Sequence, residues 1–278
     1  MKAESTNVEE TTYGQTPVNP SMLSVPAESI EPAVNPSNIK LRGVGSVDLQ
    51  AVKKGLRAPS LKLAYPLPSA APINLLQYAR VELEKSLSIQ LLYYKGAFAS
   101  ATDVLSLLYT GCKFQKATVE CSIEDVVKAS VELLAQNVAT GTSKIDGASY
   151  TDYAGAVPFY ESYIKKDTAT LERVTDWKFT IENNLKQVPV IRTSNGNVLK
   201  YLPHRHRGIA GELVFEFESK EEFDDVVNDA EFTLEFGLGG NSKAVFSNCK
   251  WENVAAPTRV EELVSLKAAF VAKTVAIS

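Results

Sequence analysis

The only two histidines of the chain stand in Pro203-His204-Arg205-His206-Arg207, and imidazoles this close together can begin a metal site. Here arginines flank and separate them, so an incoming cation would meet fixed positive charge, and no cysteine is near in sequence. Catalysis would need a nucleophile beside one imidazole and a carboxylate to orient it, and no spacing in the chain supplies that set. The segment reads as a basic loop facing solvent or a partner. Gly237-Leu238-Gly239-Gly240-Asn241-Ser242-Lys243 has the look of a phosphate-cradling loop but lacks the Gly-Lys-Ser/Thr ending. Alternating apolar runs surround it, so it reads as a hairpin turn. Gly43-Val44-Gly45 is a fragment of a dinucleotide fingerprint with Asp48 in the third glycine position, and it too reads as turn chemistry.

Cys112, Cys121 and Cys249 are too few and too scattered for a disulfide framework or a metal site, and they read as small buried residues. The adjacent carboxylates Asp224-Asp225 and Glu261-Glu262 read as solvated faces. No catalytic, cofactor-binding or metal residue is therefore expected, and the chain is read as a non-enzyme. A formal charge of −4 and a pI near 5.5 argue against gripping nucleic acid by bulk attraction, without excluding that nucleic acid passes alongside. The start, MKAESTNVEETTYGQ, carries no basic-then-apolar segment, and no apolar run approaches the ~18 residues of a membrane span. The expectation is a chain made in the cytoplasm.

The elements that organise these residues come in two copies. Residues 112–138 lie over residues 249–275 without a gap: Cys112 on Cys249, Lys113 on Lys250, Glu124 on Glu261, Val127 on Val264, Ala135 on Ala272 and Val138 on Val275. Like-for-like pairs fill the intervals, such as Phe114 with Trp251 and Leu133 with Phe270. A chance match of this length would give roughly one or two identities, so an internal repeat is the leading architecture. Upstream, Leu61, Leu63 and Tyr65 fall on Leu213, Phe215 and Phe217.

Period-two alternation runs through Trp177, Phe179 and Ile181, through Phe232, Leu234, Phe236 and Leu238, and through Val127, Ala129, Val131 and Leu133. Such alternation marks antiparallel strands with one buried and one wet face. The run 263–273 fits either a helix with Leu263, Leu266 and Phe270 on one stripe or a long strand, and its counterpart in the first copy favours the strand. Each half also carries one short helix. In the second half Ser219 and Glu222 form a capping box, and Phe223, Val226 and Val227 give that helix one apolar face. In the first, Ser69 precedes Pro72, Leu75, Leu76 and Tyr78.

The expected fold class is mainly β: two similar antiparallel sandwich or barrel-like halves, each with one short helix. Residues 1–21 are polar and read as a flexible arm, or one that orders only against a neighbour. Residues 22–137 form the first half, 138–156 a Gly/Ser/Thr-rich linker, and 157–278 the second half. Two long basic connections occupy matching places: one over 42–57 with Arg42, Lys53, Lys54 and Arg57, one over 192–207 with Arg192, Lys200, His204, Arg205, His206 and Arg207. Loops of this length are usually functional or disordered.

The runs DWKFTIENNLKQVPVIRTS (176–194), GIAGELVFEFESKEEFDDVVNDAEFTLEFGLGG (208–240) and NCKWENVAAPTRVEELVSLKAAFVA (248–272) resemble the tail tube (major tail) proteins of long-tailed bacterial and archaeal viruses. Residues 111–138 carry the same resemblance in the first half. It implies a structural virion protein of the tail whose subunits close into rings around a channel, the rings stacking into a hollow tube through which DNA travels. The two basic connections would then contact neighbouring subunits or the next ring. Two tube-like halves per chain favour three chains in a pseudo-sixfold ring over a hexamer. Carboxylates at the lumen would repel DNA phosphates, while Lys53, Lys54, Arg205 and Arg207 would pair with acidic patches between rings. Other tail proteins, such as tape measure and terminator proteins, would be partners, with no cofactor and no membrane span. The neighbouring alternatives are a tube subunit of a contractile tail or injection apparatus, or another virion β-sandwich protein.

Overall fold

Where the sequence alternates apolar and polar residues the chain is extended, in a computed structural model that describes residues 2–80, 84–98, 102–153, 155–191, 197–257 and 265–278. The first strands are β1 (Lys2–Glu9), β2 (Ser21–Val25) and β3 (Ser29–Pro36), then the hairpin β4 (Ile39–Leu41) and β5 (Ala51–Lys53), then β6 (Arg57–Pro66). A 3-10 turn at Leu76–Ala79 leads to β7 (Leu87–Lys95), β8 (Thr102–Ser122), β9 (Lys128–Leu134), β10 (Asn137–Gly141) and β11 (Ser149–Thr151). The remainder comprises β12 (Ile164–Lys166), β13 (Ala169–Thr170), β14 (Val174–Glu182), β15 (Gly208–Glu216), helix α1 (Glu221–Val227), β16 (Phe232–Gly237), β17 (Lys243–Ala255) and β18 (Ser265–Ile277). The mainly β class expected from the sequence is the observed one. Leu266, Ala268 and Phe270 are buried at spacing two, so the end of the chain is a strand.

One long strand organises the sheet. The first part of β8 pairs with β7 and β10, and its second part, from Lys113 onward, pairs with β9 on one edge and β14 on the other. The change of partners follows Gly111, whose φ of +63° is left-handed. A Cβ there would come within 2.7 Å of Gln136 Cβ, so both conformation and space call for glycine. Through the β8–β14 pair the order β3-β6-β9-β8-β14-β15-β18-β17-β16 is continuous across both halves. Its buried side carries Leu61, Leu63, Tyr65, Val119, Val131, Phe179, Leu213 and Phe270. An aromatic cluster of Trp177, Phe179, Phe236, Phe246 and Phe270, with ring centroids 4.9–6.0 Å apart, fills the second half.

The pairing plan of β8 with β9 recurs in β17 with β18 at the positions that the sequence repeat equates. Lys113 opposes Leu134 and Phe114 opposes Leu133, as Lys250 opposes Val271 and Trp251 opposes Phe270. A bulge follows in both, between Phe114 and Lys116 and between Trp251 and Asn253. Gly111 and Asn248, both left-handed, precede the paired segments, and asparagine is the other residue that tolerates this conformation.

The upstream alignment is two residues out. Leu63 opposes Val131, and Leu213, not Phe215, opposes the equivalent Ala268. Leu61 thus corresponds to Gly211, and bulk is exchanged across the strands: Leu61 faces Leu133, whereas Gly211 faces Phe270. A Cβ on Gly211 would sit 2.5 Å from the Phe270 ring.

Two expectations fail at the chain's softer segments. Residues 1–21 are not a flexible arm: Lys2–Glu9 forms β1, flanked by β2 and β7. Its buried side chains are polar (Ser5, Thr6, Asn7), and Asn7 Nδ2 donates to the Leu23 carbonyl at 3.1 Å, so ordering needs no apolar stripe. Residues 138–156 are not a plain linker either, since β10 pairs with β8 and β11 runs parallel to β2. Glu10, 5% exposed, fastens the N-terminal segment: its carboxylate accepts from Ser86 Oγ (2.5 Å), Ser88 Oγ (2.8 Å), Gly14 N (2.7 Å) and Gly111 N (2.8 Å). Glu10→Ala strands those donors in the interior. A loss of roughly 2–5 kcal/mol is expected in chemical denaturation, with faster amide exchange in β1.

Candidate functional site

All three thiols are buried, Cys112 and Cys249 in the apolar core and Cys121 beside a recess also lined by Asp125, Lys128 and Asp176, and they stay protonated at neutral pH. Burial pushes Cys121 up to about 11 and Cys249 up to about 12, and raises Cys112 well above the usual thiol range. Among the described residues no group of three or more His, Cys, Asp or Glu side chains is placed to hold a metal. His204, Arg205 and His206 are exposed on a loop that runs back along Asn183–Lys186. Lys186 N donates to the Pro203 carbonyl at 2.8 Å and Asn184 Nδ2 to the His206 carbonyl at 2.7 Å. Buried Val198, Leu199 and Leu202 anchor that loop.

What the structure offers instead is surface, of three kinds. The first is the pair of basic connections, which meet at their bases. Arg57 N donates to the Asn197 carbonyl at 2.8 Å, and a shallow recess between them is lined by Ile39, Lys54, Leu56, Pro189, Ile191 and Asn197. Arg42, Lys53 and Lys54 are exposed and Arg57 is half-buried. Lys200 is exposed, with its ammonium 5.7 Å from the Tyr201 ring centroid, and Arg207 is half-buried. Arg192 lies outside the described residues. Among the described residues the basic side chains are therefore split between the β4–β5 hairpin and the flank of the 197–207 loop, which meet at the Arg57–Asn197 hydrogen bond.

The hairpin itself is more apolar than basic. Ile39, Leu41, Val44, Val47, Leu49 and Val52 are all exposed, Val44 and Val47 completely. Its two strands form a sheet of their own. A lone two-stranded hairpin is marginal in water, and this one exposes apolar side chains on both faces, Ile39 and Leu41 on one and Val52 on the other. The sequence reading stressed the lysines and arginines here and missed these interleaved valines and leucines, although their spacing was visible.

The second surface is the wet face of the continuous sheet. Residues directly opposite one another along one row read Glu31, Lys62, Glu132, Lys116 and Glu182. The next row is Ala64, Ser130, Thr118, Thr180 and Ala210, and the one beyond it is Lys128, Glu120, Lys178 and Glu212. Ion pairs close these rows: Lys62–Glu132 at 2.9 Å, Lys116–Glu182 at 2.8 Å and Lys178–Glu120 at 3.2 Å. The hydroxyls of Thr118 and Thr180 are 3.1 Å apart. Glu132, Glu182 and Glu120 are thus matched by lysines across the strands, while Glu31 and Glu212 stand opposite lysines that pair with these.

The third surface is α1, where the capping-box expectation fails. Ser219 Oγ accepts only from Glu221 N, at 3.4 Å, and Glu222 does not reach back to the cap. Glu222 is buried in an ion pair with Arg173, whose guanidinium lies 4.8 Å from the Phe215 ring centroid. Asp225 takes Lys166 and accepts from Trp251 Nε1 at 3.1 Å. The helix therefore turns acidic residues inward onto basic and indole donors. Phe223, Val226 and Val227, the apolar face of the helix, are exposed, and the Phe217 ring stands beside Phe223. Glu261 and Glu262 lie outside the described residues, and among the described residues no helix is long and apolar enough to cross a membrane.

The described residues offer surfaces, and comparison identifies the family of the chain. The family model of phage tail tube proteins matches residues 8–272, and the chain belongs to that family. It is a structural component of the virion tail. No curated protein matches it in sequence. Among solved structures it is similar to a chain of the anti-feeding prophage baseplate, determined by cryo-EM with six-fold symmetrisation. The identity is 13% over 52% of this chain and 95% of that one, with a TM-score of 0.33, too slight a likeness to carry an inference.

Two measurements check the site geometry. The three thiols should resist an aromatic disulfide reagent at pH 8 in the native protein and react together on unfolding. Gly55→Ala should loosen the hairpin base, because a Cβ there would lie 1.4 Å from the Ser37 carbonyl oxygen, and a destabilisation of about 1–3 kcal/mol is expected by thermal denaturation.

Proposed function

We propose that this chain closes into rings around a central bore, three chains to a ring, and that the rings stack into the tube through which viral DNA passes. The observation that carries the reading is the recurrence of one pairing plan, bulge included, in two successive parts of a single continuous sheet. A gene duplication giving halves 22–137 and 157–278 accounts for it. Two equivalent units per chain, related by a rotation that the ring repeats, give pseudo-sixfold order from three subunits.

The wet face of the sheet lines the bore in this reading. Its alternating lysine and glutamate rows present little net field to a passing phosphate backbone, so DNA is neither held nor strongly repelled. The β4–β5 hairpin and the 197–207 loop reach the neighbouring ring. Val44, Val47 and Leu49 supply the apolar contact, while Lys53, Lys54, Arg205 and Arg207 seat it against acidic side chains. Tape measure and terminator proteins complete the tail around and above the stacked rings.

Electron microscopy of purified protein tests the reading, with rings or tubes of uniform bore as the expected result and a monodisperse monomer as the contrary one. Reversing the charge of Arg205 and Arg207 together should shorten or abolish tubes while leaving single rings intact, and unchanged tube lengths would remove these residues from the ring-to-ring contact.

A further inference from the structure

A small recess opens where the 3-10 turn before β7, the middle of β8, the end of β14 and the 197–207 loop come together. Its walls include Arg80, Glu84, Lys85, Lys113, Asn183 and His204. It encloses about 280 Å³, much of it open to solvent, and the centre of a water-sized sphere can move through only about 20 Å³ of it. One small ion fits such a space, and a nucleoside or a sugar does not.

The charge of the recess is not balanced from within. Lys85 pairs with Glu9 at 2.5 Å, and Glu9 also accepts from the Tyr78 hydroxyl at 3.0 Å. Among the described residues no carboxylate pairs with Arg80 or Lys113. Arg80 is half-buried, and its Nε is shut off from solvent without an acceptor. Lys113 is half-buried as well, and its ammonium stands 5.6 Å from the Tyr13 ring centroid. Burial lowers the pKa of that ammonium, and the charge of Glu84 opposes the shift. Donors held this way cost free energy until an anion meets them.

Asn183 decides which anion. It is 5% exposed, and its Nδ2 donates to the Ala79 carbonyl at 3.0 Å and to the Phe114 carbonyl at 3.1 Å. Those two bonds fix the orientation of the amide, so Oδ1 is the buried atom left without a donor. The recess thus offers cationic donors together with one bare acceptor, and asks for an oxyanion that still carries a proton. At neutral pH a carboxylate or a sulfate only accepts, and the phosphodiester of a nucleic acid has no P–OH. Hydrogen phosphate both accepts and donates. We infer that this recess binds one inorganic hydrogen phosphate ion, whose P–OH donates to Asn183 Oδ1 while its other oxygens accept from Arg80 Nε and the Lys113 ammonium. The ion would tie the turn before β7 to β8 and to the end of β14. All of these side chains come from one chain, so the site is complete without a ring.

Isothermal titration calorimetry of the full chain at neutral pH and constant ionic strength tests the site, with sodium phosphate, sodium sulfate and dimethyl phosphate as titrants. Phosphate should bind saturably, one ion to a chain, and roughly tenfold or more tightly than either analogue that lacks the P–OH. Arg80→Gln and Lys113→Gln should each weaken phosphate roughly tenfold, whereas Lys62→Gln, on the wet face of the sheet, should leave it unchanged. Sulfate or dimethyl phosphate binding as tightly as phosphate would overturn the assignment of a protonated ion. Absence of saturable binding, or unchanged affinity in both recess variants, would overturn the site itself. Should a variant fail to fold, phosphorus NMR of phosphate titrated with the unsubstituted chain decides. Line broadening that saturates at one ion to a chain and survives an equal concentration of sulfate supports the site, and a line that stays sharp overturns it.

Discussion

Every buried backbone amide and carbonyl needs a partner, and β8 meets that requirement on both edges along most of its length by changing neighbours at Gly111. The strand is thereby shared between a first group, β7 and β10, and a second, β9 and β14, so that neither half of the chain has a separate sheet. Glu10 reinforces this pivot, since one of its carboxylate oxygens accepts the Gly111 amide while the other holds Gly14 and Ser86. The N-terminal strand is thus tied to the point on which the sheet turns.

Because the halves are fused by pairing, the surfaces left over have a definite meaning. The core side of the sheet is filled by the aromatic cluster and by aliphatic rows, and the wet side by lysines and glutamates that answer one another across strands. Exposed ion pairs of this kind add little stability, and their value lies in cancelling charge over a broad face. Apolar surface is concentrated elsewhere, on the β4–β5 hairpin and on the outer side of α1. In the proposed tube these would be the places for protein neighbours, and the lysine–glutamate face the place for the passing DNA.

Where residues 112–138 resemble residues 249–275, the described pairs share one register and one bulge position, so similarity of side chains and register of strands coincide. Upstream the alignment slipped by two, and physics explains the size of the slip. Moving a strand by two residues keeps every side chain on its proper face, so an alternating pattern such as Leu61, Leu63, Tyr65 cannot reveal its register alone. The compensation of Leu61 and Leu133 by Gly211 and Phe270 shows only when the partner strand is known. β1 was hidden because its interior is made of Ser5, Thr6 and Asn7, which hydropathy reads as solvent-seeking. Glu222 matched a capping box by position, but its partner Arg173 lies far away in sequence, and the apolar stripe of α1 said that one face was greasy without saying what would cover it. Of the basic loop residues, Arg42, Lys53, Lys54, Lys200, His204, Arg205 and His206 are exposed and Arg57 and Arg207 are half-buried, whereas the apolar content of the hairpin went unweighed.

The mass of a single ring in native mass spectrometry tests the central claim most directly. Three chains of 30.3 kDa are expected, each supplying two equivalent sectors of the wall. A ring of six chains would mean that the two halves do not occupy equivalent places around the bore, and would contradict the account.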